Sequence, residues 1–209
     1  MPRFATTLAT LALTIAFGAT AFAQAPPAPT TRIRGTITSF TGGVLTVQGA
    51  ASTYKITIPD NARVSFVVKS DLSKIGPNSY VGTVVVAQPD GSLRATEVSI
   101  FPENLRGVGE GARPWDTAPG GIMTNATVQT IAPTTVAKVD GRMMDLKYKD
   151  TEKQIFVPAN VPIVTSIPAD PSAFTPGAHV LINATTGADG TMTAAGGIQV
   201  GKDGLVPPM

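Results

Sequence analysis

Two stretches of this chain, QPDGSLRATEVSI (residues 88–100) and GADGTMTAAGGIQV (residues 187–200), carry the same turn in similar surroundings. In each, an Asp-Gly pair separates two segments in which apolar and polar residues alternate. Asp-Gly favours a tight β-hairpin, because both residue types tolerate the positive φ that a type I′ turn requires. The pairs Asp90-Gly91 and Asp189-Gly190 are ninety-nine residues apart, and this spacing predicts how the rest of the chain is organised.

The same shift of 99 residues aligns a longer part of the chain on itself. Residues 56–95 align without a gap on residues 155–194, so that ITIPDNARV meets IFVPANVPI and the Pro and Asn of the first turn coincide. Matched turn residues over this distance favour an internal duplication. The sequence therefore predicts two copies of one unit, at residues 32–102 and 123–202.

Each copy is predicted to consist of strands and one helical turn. Residues 54–58 alternate between apolar and polar, which is the period-2 pattern of a half-buried strand. Asp170 followed by Pro171 is typical of the start of a helical turn. In the first copy the equivalent turn would be capped by Ser70 or Asp71.

The last hairpin differs between the copies by one residue. In the second copy the apolar residues of 192–200 stay in phase, whereas in the first copy Val98 is one step out of phase with Ala95. A β-bulge near Thr96-Glu97 would return the following apolar side chains to the inner face.

The predicted order in each copy is three strands, a short fourth strand such as RVSFVV, one helical turn and a long hairpin. That order is typical of small closed barrels of the OB type, and closure would leave no exposed sheet edge. The predicted fold is therefore all-β, with two tandem OB-like β-barrels, a short helical turn in each, and an N-terminal signal helix.

The first copy resembles a small β-barrel domain of unknown function that recurs, often in tandem, in exported bacterial proteins. The resemblance rests on the opening hairpin RGTITSFTGG, the LTV strand that follows it, and the closing hairpin DGSLRATEV. The second copy keeps the closing Asp-Gly and Ala194 but lacks the opening Gly and the LTV strand. The resemblance implies an exported bacterial barrel, and it brings no activity, cofactor or catalytic residue with it.

The composition argues against several classes of function. The net charge is +2, with 16 basic and 14 acidic residues and no run of like charges, so the clustered basic face of a nucleic-acid-binding protein is not indicated. The chain has no Cys and one His, which excludes disulfides and thiolate chemistry and leaves only carboxylates and carbonyls as metal ligands. We predict no catalytic residue, no metal and no cofactor.

The first 23 residues are typical of an export signal. A short basic start, MPR, precedes an apolar stretch without charges, and Ala21-Phe22-Ala23 fits the small-x-small rule for cleavage. We predict a signal peptide at residues 1–23, cleavage after Ala23, and a periplasmic or secreted protein. The alternative is an uncleaved N-terminal anchor, because the stretch approaches the roughly 20 residues that span a bilayer.

The remaining boundaries follow from composition and from the repeat. They are a Pro-rich leader at residues 24–31, the first barrel at 32–102, a Gly- and Pro-rich linker at 103–122, the second barrel at 123–202 and a C-terminal tail at 203–209.

The linker carries the candidate site residues. It contains Trp115, which is the only Trp of the chain, together with Arg106, Glu110, Arg113 and Asp116. A long linker of this kind is either a spacer or a functional segment. In one interpretation Trp115 packs between the barrels as a clamp, with Arg113 stacked on it. In the other, these five residues bind a glycan, a peptide or an anionic group.

The sequence thus predicts an exported, non-catalytic binding or scaffolding protein of the periplasm. A protein or a cell-envelope glycan is the expected partner, nucleic acid is not, and the mature chain is not expected to be embedded in the membrane. The alternative is a hydrolase or a metal-handling protein that uses the linker carboxylates Glu103, Glu110 and Asp116.

Overall fold

The computed structural model describes residues 29–134 and 140–208. Within these ranges the chain is all-β, as predicted, with fourteen strands and four 3-10 turns of three residues each. The strands are β1 (Thr30–Thr41), β2 (Val44–Gly49), β3 (Thr53–Thr57), β4 (Arg63–Lys69), β5 (Tyr80–Ala87), β6 (Leu93–Ile100), β7 (Gly111–Pro114), β8 (Ile122–Pro133), β9 (Gly141–Tyr148), β10 (Thr151–Pro158), β11 (Ile163–Ala169), β12 (His179–Thr186), β13 (Met192–Ala194) and β14 (Gly197–Gly201). The 3-10 turns are Leu72–Lys74, Glu103–Leu105, Pro171–Ala173 and Lys202–Gly204.

The predicted signal peptide at residues 1–23 lies outside the described residues. In the described part of the chain, no helix has the length and apolar character needed to cross a bilayer.

The first ring is a closed five-stranded barrel. Its strands pair in the order β1-β2-β3-β13-β12 and back to β1, and all of these pairings are antiparallel except that of β3 with β13. The alternating apolar residues of these strands point inward, and Ile37, Leu45, Ile56 and Ile182 are almost fully buried there. Burial of such side chains supplies the main stabilisation of a chain without disulfides.

The second ring closes in the same way. Its strands pair in the order β8-β9-β10-β6-β5 and back to β8, with β10 and β6 parallel. A separate apolar core fills it, in which Val81, Val98, Leu146 and Ile155 are almost fully buried. The two rings thus have equivalent orders of pairing around two cores.

The strand pairing differs from the predicted tandem arrangement. Residues 32–102 do not close a barrel by themselves, because the hairpin β5-β6 lies in the ring of β8, β9 and β10, and the hairpin β12-β13 lies in the ring of β1, β2 and β3. Each ring therefore combines three strands from one half of the chain with a hairpin from the other. The exchange of equivalent elements that joins two subunits in domain-swapped dimers here occurs within one chain.

Strands β4 and β11 form the seam between the rings and cause the exchange. They pair with each other in antiparallel fashion from Val64↔Ala169 to Lys69↔Val164. On its other side β4 pairs with β14, and β11 pairs with the end of β6. Each seam strand leads the chain from one ring to the other, so the hairpin that follows it is built into the opposite barrel.

The Asp-Gly hairpins connect β5 to β6 and β12 to β13, as predicted, but their turn type differs from the prediction. Of each Asp-Gly pair only Gly has positive φ, 83° at Gly91 and 80° at Gly190, and the Gly N–H donates to the carbonyl three residues earlier, so Gly is the fourth residue of the turn. The carboxylate of Asp90 accepts hydrogen bonds from the backbone N–H and the hydroxyl of Ser92 at 2.9 and 2.7 Å. This bonding favours a negative φ at Asp90. The connection is therefore a type I turn that ends with a Gly in the left-handed region.

Two local predictions are confirmed by the structure. The pairing of β5 with β6 shifts by one residue between Val84↔Glu97 and Val85↔Ala95, so Thr96 is the extra residue of the expected bulge. The two 3-10 turns that follow the seam strands begin at Asp71 and Asp170, whose side chains accept the backbone N–H two residues further on. Both turns therefore use the same cap, and Pro171 takes the first position of the second turn.

Candidate ligand-binding cleft

The linker is joined to the rest of the fold by regular backbone hydrogen bonds. After the 3-10 turn at Glu103–Leu105, β7 pairs with the first half of β8 and extends the second ring. The loop from Trp115 to Gly121 is then closed by a hydrogen bond from the Trp115 N–H to the Gly121 carbonyl at 2.9 Å. These bonds fix the positions of the linker side chains against both rings.

Trp115 lies between the two rings. On one side its ring packs against Val84 of β5 and Met123 of β8. On the other, the guanidinium carbon of Arg32, from β1 of the first ring, lies 3.6 Å from the ring centroid. The guanidinium carbon of Arg113 lies 5.3 Å from the same centroid, so two arginines contact one indole. Trp115 thus makes the contacts that the clamp interpretation predicts, although Arg32 is closer to it than Arg113.

Asp116 fixes the two arginines of β1. Its carboxylate pairs with Arg32 at 3.0 Å and with Arg34 at 2.9 Å, and Arg34 donates a second hydrogen bond at 3.0 Å. The hydrogen bonds from Arg34 and the positive charges of both arginines lower the pKa of Asp116 to about 2. One carboxylate is therefore shared by two cations.

Glu97 lies beneath the same part of the linker. This residue of β6 is 6% exposed, and it accepts a hydrogen bond from the Thr117 hydroxyl at 3.2 Å. Burial raises the pKa of Glu97 to about 7, against the lowering effects of Thr117 and Arg34. Near neutral pH the folded protein therefore holds this carboxyl partly protonated, because burial disfavours its charged form.

A cleft of about 520 Å³ opens where the linker meets the two rings. Its base is formed by the seam strands β4 and β11, one wall by β1, β12 and β14, and the other by β8 and the linker. A volume of this size lies within the range of small-molecule sites in proteins. The exchange of hairpins creates the cleft, because it places the seam strands between the two rings.

The cleft lining is apolar with positive charge. Three arginines contribute to it, Arg32, Arg63 and Arg113, and the lining residues include no Asp, Glu, Lys or His. Apolar lining is supplied among others by Trp115 and by Ile167, which is 39% exposed. Within residues 29–134 and 140–208, neither Arg63 nor Arg113 forms an ion pair with a carboxylate.

Only two of the five predicted site residues line the cleft. Trp115 and Arg113 line the cleft. Arg106 instead forms an ion pair with Glu103 at 2.5 Å and donates to the Asn78 carbonyl. The remaining two residues, Glu110 and Asp116, also lie outside the cleft lining.

The three carboxylates of the alternative function are each engaged with a different group. Glu103 pairs with Arg106, Glu110 accepts the backbone N–H of Lys149 at 3.0 Å, and Asp116 pairs with the arginines of β1. No cluster of three or more potential metal ligands occurs in the described ranges. The geometry thus does not bring the carboxylates together into one site.

The cleft residues outside the linker were not predicted from the sequence. Arg32 is adjacent to Asn183 across β1 and β12, but these positions are 151 residues apart in the chain. Arg63 lies on β4 and Gln199 on β14. These two strands pair with each other only because the hairpins are exchanged between the rings. The only available signal was the alternation in β1, which places Arg32 and Arg34 on the face opposite the buried Ile33.

Comparison of the chain with family models, with curated proteins and with solved structures gives no match.

Proposed function

We propose that this protein is an exported, non-catalytic binding protein and that the cleft between its rings is the ligand site. The single observation that carries the proposal is the position of Trp115 and Arg113. The linker that holds them is fixed by β7 and places both side chains on the wall of a cleft with room for a small molecule. Aromatic and Arg side chains in a partly enclosed site are the groups that most often dominate binding energy.

The compartment and the partner classes come from the sequence. The signal at residues 1–23 supports export, and the absence of Cys fits a protein that needs no disulfides. The resemblance of the first copy to the small exported barrel domain, and the duplication indicated by the 99-residue shift, support a scaffold built from two OB-like units. We propose an envelope component, a glycan or a protein, as the source of the ligand.

The test uses Trp115 as the reporter and Gly197 as the point of obstruction. Gly197 lines the cleft, and a Cβ added there would meet open space, with no atom closer than 4.0 Å. Gly197→Leu should therefore obstruct part of the cleft without disturbing the fold. A matched control is Gly76→Leu, because Gly76 is also open around its Cβ position and lies outside the cleft lining.

Soluble fragments of envelope glycan and of envelope proteins are titrated into the protein while Trp115 emission is followed. A ligand of the cleft shifts the emission of the unmodified protein and of Gly76→Leu, and it has no effect on Gly197→Leu. Flat emission with every fraction, or binding that survives Gly197→Leu, would overturn the proposal.

A further inference from the structure

We infer that the cleft selects an organic acid, a small ligand in which a carboxylate is joined to an apolar body. This inference rests on the proposed function and narrows its ligand class. It follows from the charges around the cleft, from the distribution of its apolar surface, and from the absence of acidic groups in its lining.

The charge around Trp115 is not balanced. Arg32 and Arg113 both contact the indole, and Arg34 lies next to them on β1. The one fully ionised carboxylate among them is Asp116, which already binds Arg32 and Arg34. Arg113 forms no ion pair with a carboxylate in the described residues and donates instead to the Gly109 carbonyl at 2.9 Å, and burial and the charge of Arg32 lower its pKa.

A third arginine faces the same space from the base of the cleft. Arg63 stands at the start of β4, and it has no carboxylate partner in the described part of the chain. A ligand anion would meet arginines from two sides, Arg113 from the linker wall and Arg63 from the base. Guanidinium groups bind carboxylates with two parallel hydrogen bonds.

The rest of the lining requires an apolar ligand body. Trp115 and Ile167 face the space together with Leu105, Val108 and Met123, and apolar surface predominates over polar surface in the cleft. Ile167 and Val108 are 39% and 47% exposed, so a bound apolar group would remove their surface from water. This burial favours binding by about 25 cal/mol per Å², whereas a neutral glycan would leave Arg63 and Arg113 without an anionic partner.

The test compares two probes with the same apolar body, 1-anilinonaphthalene-8-sulfonate and N-phenyl-1-naphthylamine, which differ by one anionic group. Energy transfer from Trp115, the only Trp of the chain, reports that a probe is bound, and loss of the transfer in Gly197→Leu reports that the bound probe lies in the cleft. We expect the anionic probe to bind about tenfold more tightly than the neutral one, which corresponds to roughly 1.4 kcal/mol. Decanoate should displace it, and decanamide should not.

Two sets of variants separate charge from folding. Arg63→Gln and Arg113→Gln should each weaken the anionic probe by about tenfold and leave the neutral probe within about twofold. Arg142→Gln makes the same change outside the cleft lining and should affect neither. Ile167→Glu should weaken the anionic probe strongly and Ile167→Gln only slightly, and this pair leaves every arginine in place.

The outcomes are distinct. Preference for the anionic probe, lost on removal of the arginines, supports the inference. Equal binding of both probes, unchanged in the Arg variants, overturns the inference and leaves the cleft as a ligand site. If neither probe accepts energy from Trp115, the inference and the proposed function both fail.

Discussion

Val67 of β4 lies directly opposite Ser166 of β11, and these are also the two residues that the 99-residue shift puts in register. Because the strands are antiparallel, a residue before Val67 faces one equally far after Ser166. A local two-fold axis therefore passes between them, and it explains why the hairpins after the two strands are exchanged in a reciprocal way. The duplication itself stays a prediction from the sequence.

The exchange predicts which engineered cysteines will cross-link. Thr36 of β1 pairs with His179 of β12, and the Thr36 hydroxyl lies 3.3 Å from Nδ1 of the imidazole. The double variant Thr36→Cys/His179→Cys should form an intrachain disulfide in high yield, because the two side chains occupy one face at adjacent positions. Mass spectrometry of the oxidised monomer measures the yield.

A second pair of cysteines serves as the control for the unexchanged arrangement. Without exchange the hairpin of His179 would pair with β8, where Thr127 occupies the position equivalent to Thr36. In the structure Thr127 pairs with Tyr80 instead. Thr127→Cys/His179→Cys should therefore remain reduced, and efficient intrachain cross-linking of this pair would contradict the exchanged topology.

Glu97 predicts a fall in stability as the pH rises. Its pKa is about 7 in the folded protein, against 4.5 for the free side chain, so the folded state holds a proton that the unfolded chain releases first. The free energy of unfolding should decrease between about pH 4.5 and pH 8, by about 3 kcal/mol, and then level off. Urea denaturation across this range measures the slope.

The variant Glu97→Gln isolates this contribution. A neutral amide can still accept the Thr117 hydrogen bond, so this change should remove the slope and make the variant more stable than the unmodified protein above pH 7. Glu152→Gln, at an exposed position of β10, should leave the slope unchanged. Equal slopes in Glu97→Gln and the unmodified protein would show that Glu97 ionises normally.

The lowered pKa of Asp116 predicts that the free energy of unfolding falls as the medium becomes acidic. Its pKa is lowered from 3.8 to about 2 by Arg34 and Arg32, so its stabilising contribution is present above pH 4 and is lost as the pH falls toward 2. Asp116→Asn should destabilise the protein by about 1 kcal/mol at pH 7, since the carboxylate is half exposed and screened by solvent.

The measurement for Asp116 is the difference in the free energy of unfolding between variant and unmodified protein at pH 7 and at pH 2. The difference should be much smaller at the lower pH, where about half of the folded molecules have Asp116 protonated. Asp150→Asn, in an exposed turn between β9 and β10, provides the comparison. A difference for Asp116→Asn that persists at pH 2 would mean that packing, and not charge, is lost.

Removal of the Trp115 side chain should lower the stability of the protein. Trp115→Ala removes the contacts with Val84 and Met123 and the stacking of Arg32, and we expect a destabilisation of about 2 kcal/mol, since the side chain is half-buried. Trp115→Phe should retain most of the stability, because an aromatic face remains. Differential scanning calorimetry gives the melting temperatures, and an unchanged melting temperature for Trp115→Ala would exclude a clamp.

Much of the local structure could be predicted from residue patterns. The Asp caps of the 3-10 turns depend on residues adjacent in the chain, and so does the bulge at Thr96, where the apolar alternation changes phase. The turn type at Asp90-Gly91 was predicted wrongly because the Asp carboxylate binds Ser92 and keeps Asp90 out of the left-handed region. Of the site, only Trp115 and Arg113 were found, since both belong to the one segment that the repeat leaves over.

The sequence by itself determined that the chain is all-β and where most of its strands and turns lie, because these properties depend on alternation and turn chemistry within a few residues. It did not predict β7 within the linker, nor the division of residues 192–200 into β13 and β14. Only the tertiary structure decided which hairpin completes which barrel. Alternation specifies the face of a strand and not its partner, and the two equivalent hairpins offer similar apolar surfaces to either ring. The pairing of β4 with β11 resolves this choice, and the cleft exists only because of that pairing.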